Sequence, residues 1–156
     1  MIKMIISDID GVLTDGKVWI DSFGNSFKNL NYKDFDAVGM LREKGIKFGI
    51  ITGEENKFTI YVKEKFNPDY FVNGCKEKYK AIKEIASKEE YEIGEICYIG
   101  DGKYDIEAIS KVGLGLCPLD AISEVKNIAD KVINRKSGEG CLAEVYTLLS
   151  SEKEKK

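Results

Sequence analysis

The sequence predicts an α/β protein: a doubly wound parallel sheet with helices on both faces. Two observations predict it. Short apolar runs alternate with longer amphipathic ones over residues 1–149, and the apolar runs end in polar or glycine residues. Alternation of this kind builds parallel strands joined by crossover helices. Reactive groups then collect where the strands end, at the C-terminal edge of the sheet. A third observation adds one exception, because Lys17–Asn31 breaks the rhythm and reads as a β-hairpin inserted after the first strand.

The first strand is the run Met4–Asp10. The hairpin pairs Val18-Trp19-Ile20 with Ser26–Leu30 across a turn at Asp21–Asn25. It either exposes Trp19 and its neighbours for a subunit contact or folds back onto its own domain. Helical spacing over Ala37–Lys44 leads to a strand at Lys47–Thr52, then a helix at Glu55–Phe66 and a strand at Tyr70–Asn73. The same alternation gives helix Glu77–Ser87, strand Ile96–Gly100, helix Tyr104–Lys111 and strand Gly113–Cys117. Helix Ala121–Ile128, strand Lys131–Ile133 and helix Cys141–Leu149 complete the pattern. Residues 1–149 therefore read as one domain, and the charged run Ser150–Lys156 as a tail that frays.

Composition narrows the function. A chain of 156 residues can bury a core as one domain. The net charge of −3 with no basic stripe argues against nucleic acid. The absence of a long apolar segment or a leader predicts a cytoplasmic protein with no membrane partner. Cys75, Cys97, Cys117 and Cys141 are far apart and form no CxxC, so reduced thiols are expected, and structural zinc is not. There is no histidine, so proton transfer falls to Asp, Glu, Lys, Tyr or Cys.

Four strand ends carry candidate chemistry. Asp8 and Asp10 stand at i and i+2, which in a strand aims both carboxylates at one spot. Their repulsion is relieved by a proton or a cation, and such a pair suits a metal-assisted Asp nucleophile with an Asp acid/base. A calcium loop does not fit, because the ligand series stops at Val12. Thr52, before Gly53, is either a phosphate-binding hydroxyl or a helix cap. Lys76 and Lys78 oppose a helix dipole, so either can be a cation at an anion site or a solvated lysine. In Gly100-Asp101-Gly102, Asp101 can complete a magnesium site of hard oxygens, and Asp105, one helical turn on, can orient it.

The ordered set Asp8-x-Asp10, Thr52, Lys78 and Gly100-Asp101…Asp105 resembles the four motifs of the haloacid dehalogenase superfamily of phosphohydrolases. The run Asp8–Gly16, followed by the hairpin and Thr52-Gly53, is similar to its capless subfamily acting on 3-deoxy-2-ulosonate phosphates. That resemblance implies a Rossmann-like fold without a large cap, Mg2+ as cofactor, a sugar acid phosphate as substrate and a homotetramer. It implies Asp8 as nucleophile and Asp10 as acid/base. Thr52 and Lys78 would bind the phosphoryl group, and Asp8, the Asp10 carbonyl and Asp101 would bind the metal, supported by Asp105. Gly102 departs from the subfamily, which has a second Asp there.

Glu54, after Thr52-Gly53, is similar to the phosphatases of nine-carbon sialic-type acids, which makes a nine-carbon acid 9-phosphate the expected substrate. The alternative is 3-deoxy-D-manno-octulosonate 8-phosphate, whose phosphatases carry Arg at that place. A glutamate repels a substrate carboxylate, so Lys65, about three turns along the same helix, is the expected carboxylate partner, reaching a neighbouring subunit's active site. Arg135, in a segment that resembles the subfamily's glycine-rich C-terminal loop, is a further expected substrate contact. Two other classes compete. A phosphate-receiving signalling domain needs an Asp at the end of Tyr70–Asn73, and none is there. A non-catalytic oligomerisation module would not need the complete acidic set.

Overall fold

A computed structural model describes residues 1–151. Six strands form one parallel sheet: β1 (Met4–Ser7), β4 (Lys47–Ile51), β5 (Tyr70–Val72), β6 (Ile96–Ile99), β7 (Leu114–Cys117) and β8 (Lys131–Val132). Their order is β5-β4-β1-β6-β7-β8. β1 lies between β4 and β6, with Met4 beside Lys47 on one side and Ile96 on the other. The chain therefore leaves β1 at the point where the order reverses, which in doubly wound sheets is where ligands bind.

Alternation along the strands divides the core into two layers. Ile5, Phe48, Ile50, Cys97 and Ile99 face one layer, packed with α1 (Tyr32–Glu43), α2 (Lys57–Phe66) and α6 (Cys141–Ser151). Met4, Ile6, Ile96 and Tyr98 face the other, packed with α3 (Lys78–Glu89), α4 (Ile106–Lys111) and α5 (Ser123–Ile128). Every residue of β1 and β6 is buried, as strands covered on both faces require. Gly115 belongs to this packing: a Cβ there would lie 2.1 Å from the Ile109 carbonyl oxygen, so β7 and α4 approach more closely than any side chain permits.

The expected hairpin is present but shorter. β2 (Trp19–Ile20) pairs antiparallel with β3 (Ser26–Phe27), not with the longer run to Leu30. Asp21 organises the turn by accepting hydrogen bonds from the Phe23 and Asn25 amides. Pairing stops after Phe27 because Lys28 reaches Asp10 and Asn29 accepts the Asp15 amide. The hairpin leaves large apolar side chains in water, with Trp19 68% and Phe23 90% exposed.

Several expected boundaries move, among them strand Met4–Asp10, which ends at Ser7, and helix Ala121–Ile128, which begins at Ser123. α2 begins at Lys57, because Asn56 closes a capping box with Thr59. α1 begins at Tyr32, where Asn31 accepts the Lys33 amide. α6 continues through Ser150 and Ser151, so the expected tail does not begin at Ser150; its remaining residues, 152–156, lie outside the described region. Among the described residues, no helix is long and apolar enough to cross a membrane.

Asp34 joins the first and last helices. It is fully buried on α1 and accepts the Leu142 amide in the first turn of α6 at 2.9 Å, while its Oδ2 has no partner. Burial pushes its pKa up to about 7. A carboxyl raised above its unfolded value stabilises the fold below the unfolded pKa, and that stability is lost as pH rises through the folded pKa. For Asp34 the loss runs from the ordinary value of 3.8 up to about 7. In urea denaturation the Asp34→Asn variant should therefore gain about 2 kcal/mol relative to wild type between about pH 5.5 and 8. A constant difference between the two proteins across that range would contradict the assignment.

Candidate active site

The site lies where β1, β4 and β6 end. Asp8 follows β1, and its amide donates to the Ile99 carbonyl at the end of β6. It and Asp10 stand past the strand, where the Val12, Leu13 and Thr14 amides all return to the Ile9 carbonyl. The two carboxylates still line one cavity of about 210 Å³, but through this turn and not through strand alternation. Thr52, Gly53, Glu54, Lys78 and residues Asp101 to Asp105 line the same cavity.

Lys78 is its buried cation. It opens α3, where a positive charge opposes the helix dipole by about 0.3–1 kcal/mol. Two ion pairs offset that cost, to Asp8 Oδ2 at 2.8 Å and to Asp105 Oδ1 at 2.7 Å. Burial lowers the lysine pKa, but attraction to Asp8 and Asp105 outweighs it and the net shift is upward. Lys76, the other candidate, lies over the Tyr104 ring.

Asp105 accepts four hydrogen bonds. Oδ1 takes those of Lys78 Nζ and the Tyr98 hydroxyl, and Oδ2 takes the Asp101 and Gly102 amides. It therefore holds the lysine and the backbone that carries Asp101. Burial, then the nearby Asp105 charge, raises the Asp101 pKa to about 7. Burial also raises that of Asp8, with Lys78 pulling against it.

The donors fit a hard divalent cation. Asp8, Asp101 and Asp105 each present an oxygen, all within 4.8 Å of one another. The loop after Asp8 closes on Asp101: Gly11 has φ +81°, and a Cβ there would lie 1.9 Å from Asp101 Oδ2. All-oxygen donors of this kind suit Mg2+. The Asp10 carboxylate is outside this cluster, bound at 2.9 Å to Lys28 and at 3.1 Å to the Thr14 hydroxyl. Only its backbone carbonyl is left for the expected metal role.

Thr52 is buried beyond β4, and its hydroxyl accepts the Glu54 amide at 3.4 Å. It does not cap α2, since Asn56 does that. Glu54 lines the cavity as expected. Lys65 does not: it lies over the Tyr61 ring and lines a neighbouring 360 Å³ cleft with Lys28, Phe58 and Tyr61. Arg135 is also elsewhere, with its Nε 3.7 Å from Glu144. A lone surface cation has no periodicity that fixes its direction, and the contact expected of Lys65 lies across a subunit boundary. Lys28 and Tyr98 escape a sequence reading for a related reason. One lies in an irregular hairpin, and the other looks like any apolar strand residue.

A buried lysine between two strand-end carboxylates, beside a third suited to a metal, defines a phosphoryl-transfer site on a doubly wound sheet. Comparison with known proteins agrees. Residues 71–145 match the family of haloacid dehalogenase-like hydrolases. A putative subfamily IIIA hydrolase of this superfamily from Legionella pneumophila is 31% identical, with a TM-score of 0.92, covering 99% of this chain and 85% of that one. The 3-deoxy-D-manno-octulosonate 8-phosphate phosphatase of Haemophilus influenzae is 28% identical over 148 residues, 95% of this chain and 82% of that protein. The Moraxella catarrhalis phosphatase of the same name, solved with magnesium, phosphate and KDO, is 25% identical with a TM-score of 0.90, covering 96% of this chain and 86% of that one. The chain belongs to the haloacid dehalogenase superfamily, and it is a phosphoric monoester hydrolase.

Binding of Mg2+ to the folded state alone should raise the unfolding temperature. The rise should be large for the wild type and absent in Asp101→Asn. An unchanged wild-type midpoint at saturating magnesium, or an equal rise in the variant, would count against the metal site.

Proposed function

We propose that the protein is a Mg2+-dependent phosphatase of a 3-deoxy-2-ulosonate phosphate, with 3-deoxy-D-manno-octulosonate 8-phosphate as its substrate. The observation that carries the reaction is the Asp8–Lys78–Asp105 chain at the edge of the cavity. The substrate rests on the relatives in Haemophilus influenzae and Moraxella catarrhalis, which are phosphatases of that compound by name. They support the eight-carbon alternative over the nine-carbon acid that Glu54 suggested.

Asp8, Asp101 and the Asp10 carbonyl would hold magnesium, which supplies charge compensation to the phosphoryl oxygens. Asp8 attacks phosphorus in line, forming an aspartyl phosphate as the bond to the sugar oxygen breaks. Its carboxylate remains a competent acceptor, because each oxygen has two lone pairs. The Ile9 amide uses one on Oδ1 and Lys78 one on Oδ2. Thr52 and Lys78 hold the transferring group. Asp10 gives a proton to the leaving oxygen, then takes one from the water that attacks the aspartyl phosphate. Asp8→Asn keeps the shape but removes the nucleophile, so turnover of p-nitrophenyl phosphate should be lost while the fold persists. Activity within a few-fold of wild type would refute the role of Asp8.

Glu54 tests the substrate separately. It lines the cavity, where a glutamate repels a carboxylate and accepts hydrogen bonds from sugar hydroxyls. The wild type should show a higher kcat/KM for the octulosonate 8-phosphate than for a nonulosonate 9-phosphate, and Glu54→Arg should widen that preference. A better nine-carbon substrate would reverse the assignment and restore Glu54 as its selector.

We also propose a homotetramer joined through the hairpin, with residues 1–149 as one domain. Trp19, Ile20, Phe23 and Phe27 all stand exposed on one hairpin, and large apolar side chains left in water ask for cover. Light scattering at micromolar protein should give the tetramer mass, reduced by Phe23→Lys. A fully active monomer would contradict the assembly.

A further inference from the structure

We infer that Tyr98 is a positioning residue for phosphoryl transfer: its hydroxyl fixes Asp105, and through Asp105 it fixes the ammonium of Lys78. The inference rests on the proposed contact between Lys78 and the phosphoryl group.

Tyr98 lies on β6 and is fully buried among Met4, Ile6, Ile82, Ala108 and Val125. A phenylalanine would fill that apolar layer equally well, so packing does not explain the oxygen. The hydroxyl leaves the layer at one point, donating to Asp105 Oδ1 at 2.6 Å. That is the short range of an O–H bond to a charged acceptor. Burial and the neighbouring Asp105 charge hold the phenol protonated well above the usual tyrosine range, so it acts as a donor.

The receiving oxygen is also the one that takes the Lys78 proton at 2.7 Å. Two lysine protons thus go to Asp105 and Asp8, and the third is left for an oxygen in the cavity. Asp105 has little room to shift. A Cβ on Gly100 would lie 2.4 Å from its Cγ, and Oδ2 is held by the Asp101 and Gly102 amides. Without the tyrosine proton, Oδ1 has Lys78 as its single donor. The lysine is then drawn towards Asp105, away from Asp8 and from a bound phosphoryl group.

The test uses Tyr98→Phe in the full chain with Mg2+, p-nitrophenyl phosphate as substrate and orthovanadate as a mimic of the five-coordinate phosphorus. Loss of one hydrogen bond to a charged group should lower kcat about tenfold and weaken vanadate inhibition by about the same factor. KM should stay within about twofold, and the variant should keep its fold, because the ring volume is conserved and Asp105 retains its other three donors. In an Asp105→Ala background the same substitution should cost nothing further, since the two residues act in series. Undiminished kcat and vanadate inhibition in Tyr98→Phe would overturn the inference, as would an equal loss in the Asp105→Ala background. Lys78→Met separates the two levels of the argument. If it retains turnover, the reading of Lys78 itself fails. If it is inactive while Tyr98→Phe is unimpaired, only the tyrosine's role is lost.

Discussion

The ammonium of Lys78, almost fully buried between Asp8 and Asp105, ties three separate parts of the chain together. Asp8 comes from the end of β1, Lys78 from the start of α3, and Asp105 from the turn after β6. Removing Lys78 leaves two buried carboxylates uncompensated, which typically costs about 3–5 kcal/mol. The parallel sheet makes the meeting possible. β1 sits between β4 and β6, so their C-terminal ends release Asp8, Thr52 and Asp101 within one cavity.

The same three charges explain why this apolar fold tolerates so many carboxylates at one edge. Asp8, Asp10, Asp101 and Asp105 outnumber Lys28, Lys78 and the rim residue Lys103. Protons or a cation must make up the difference; burial first, and then the Asp105 charge, pushes Asp8 and Asp101 upward. A divalent ion answers it without neutralising the nucleophile, which is how charge crowding becomes useful in phosphoryl transfer. Lys28 extends the network to the exposed hairpin, where it binds Asp10 and lies over the Phe58 ring. The exposed apolar arm and the proposed acid/base are therefore linked by a single side chain.

The layout of the fold and the acidic set were legible in the sequence because both rest on local rules. Buried parallel strands read as apolar runs, and the polar residues that end them mark the active edge; Asp8, Thr52 and Asp101 were visible in this way, whereas Lys78 was separated from Lys76 only by the family resemblance. What was not legible depends on contacts between distant segments. Lys28 meets Asp10 across a hairpin whose pairing stops early, and nothing in Ser26–Leu30 signals that stop. Tyr98 reads as one more apolar strand residue until α4 brings Asp105 over it. Lys65 and Arg135 lie outside this cavity within the single chain, against Tyr61 and Glu144, and the expected contact of Lys65 was with a neighbouring subunit's site. The carboxylate pair itself was recognised for a reason that the structure replaces, since a turn after β1, and not strand alternation, brings Asp8 and Asp10 to one cavity.

Covalent phosphorylation of Asp8 is the most direct consequence of this arrangement. The Asp10→Asn variant lacks the proposed base for the second step, so the aspartyl phosphate should accumulate with p-nitrophenyl phosphate and Mg2+. After acid quench and cleavage at lysine, the variant's peptide spanning Met4–Lys17 retains Asp8 and Asp15 as its aspartates. Mass spectrometry with fragmentation should place one phosphoryl group on Asp8. A phosphoryl group on another residue, or a peptide that stays unmodified while substrate is consumed, would contradict the account.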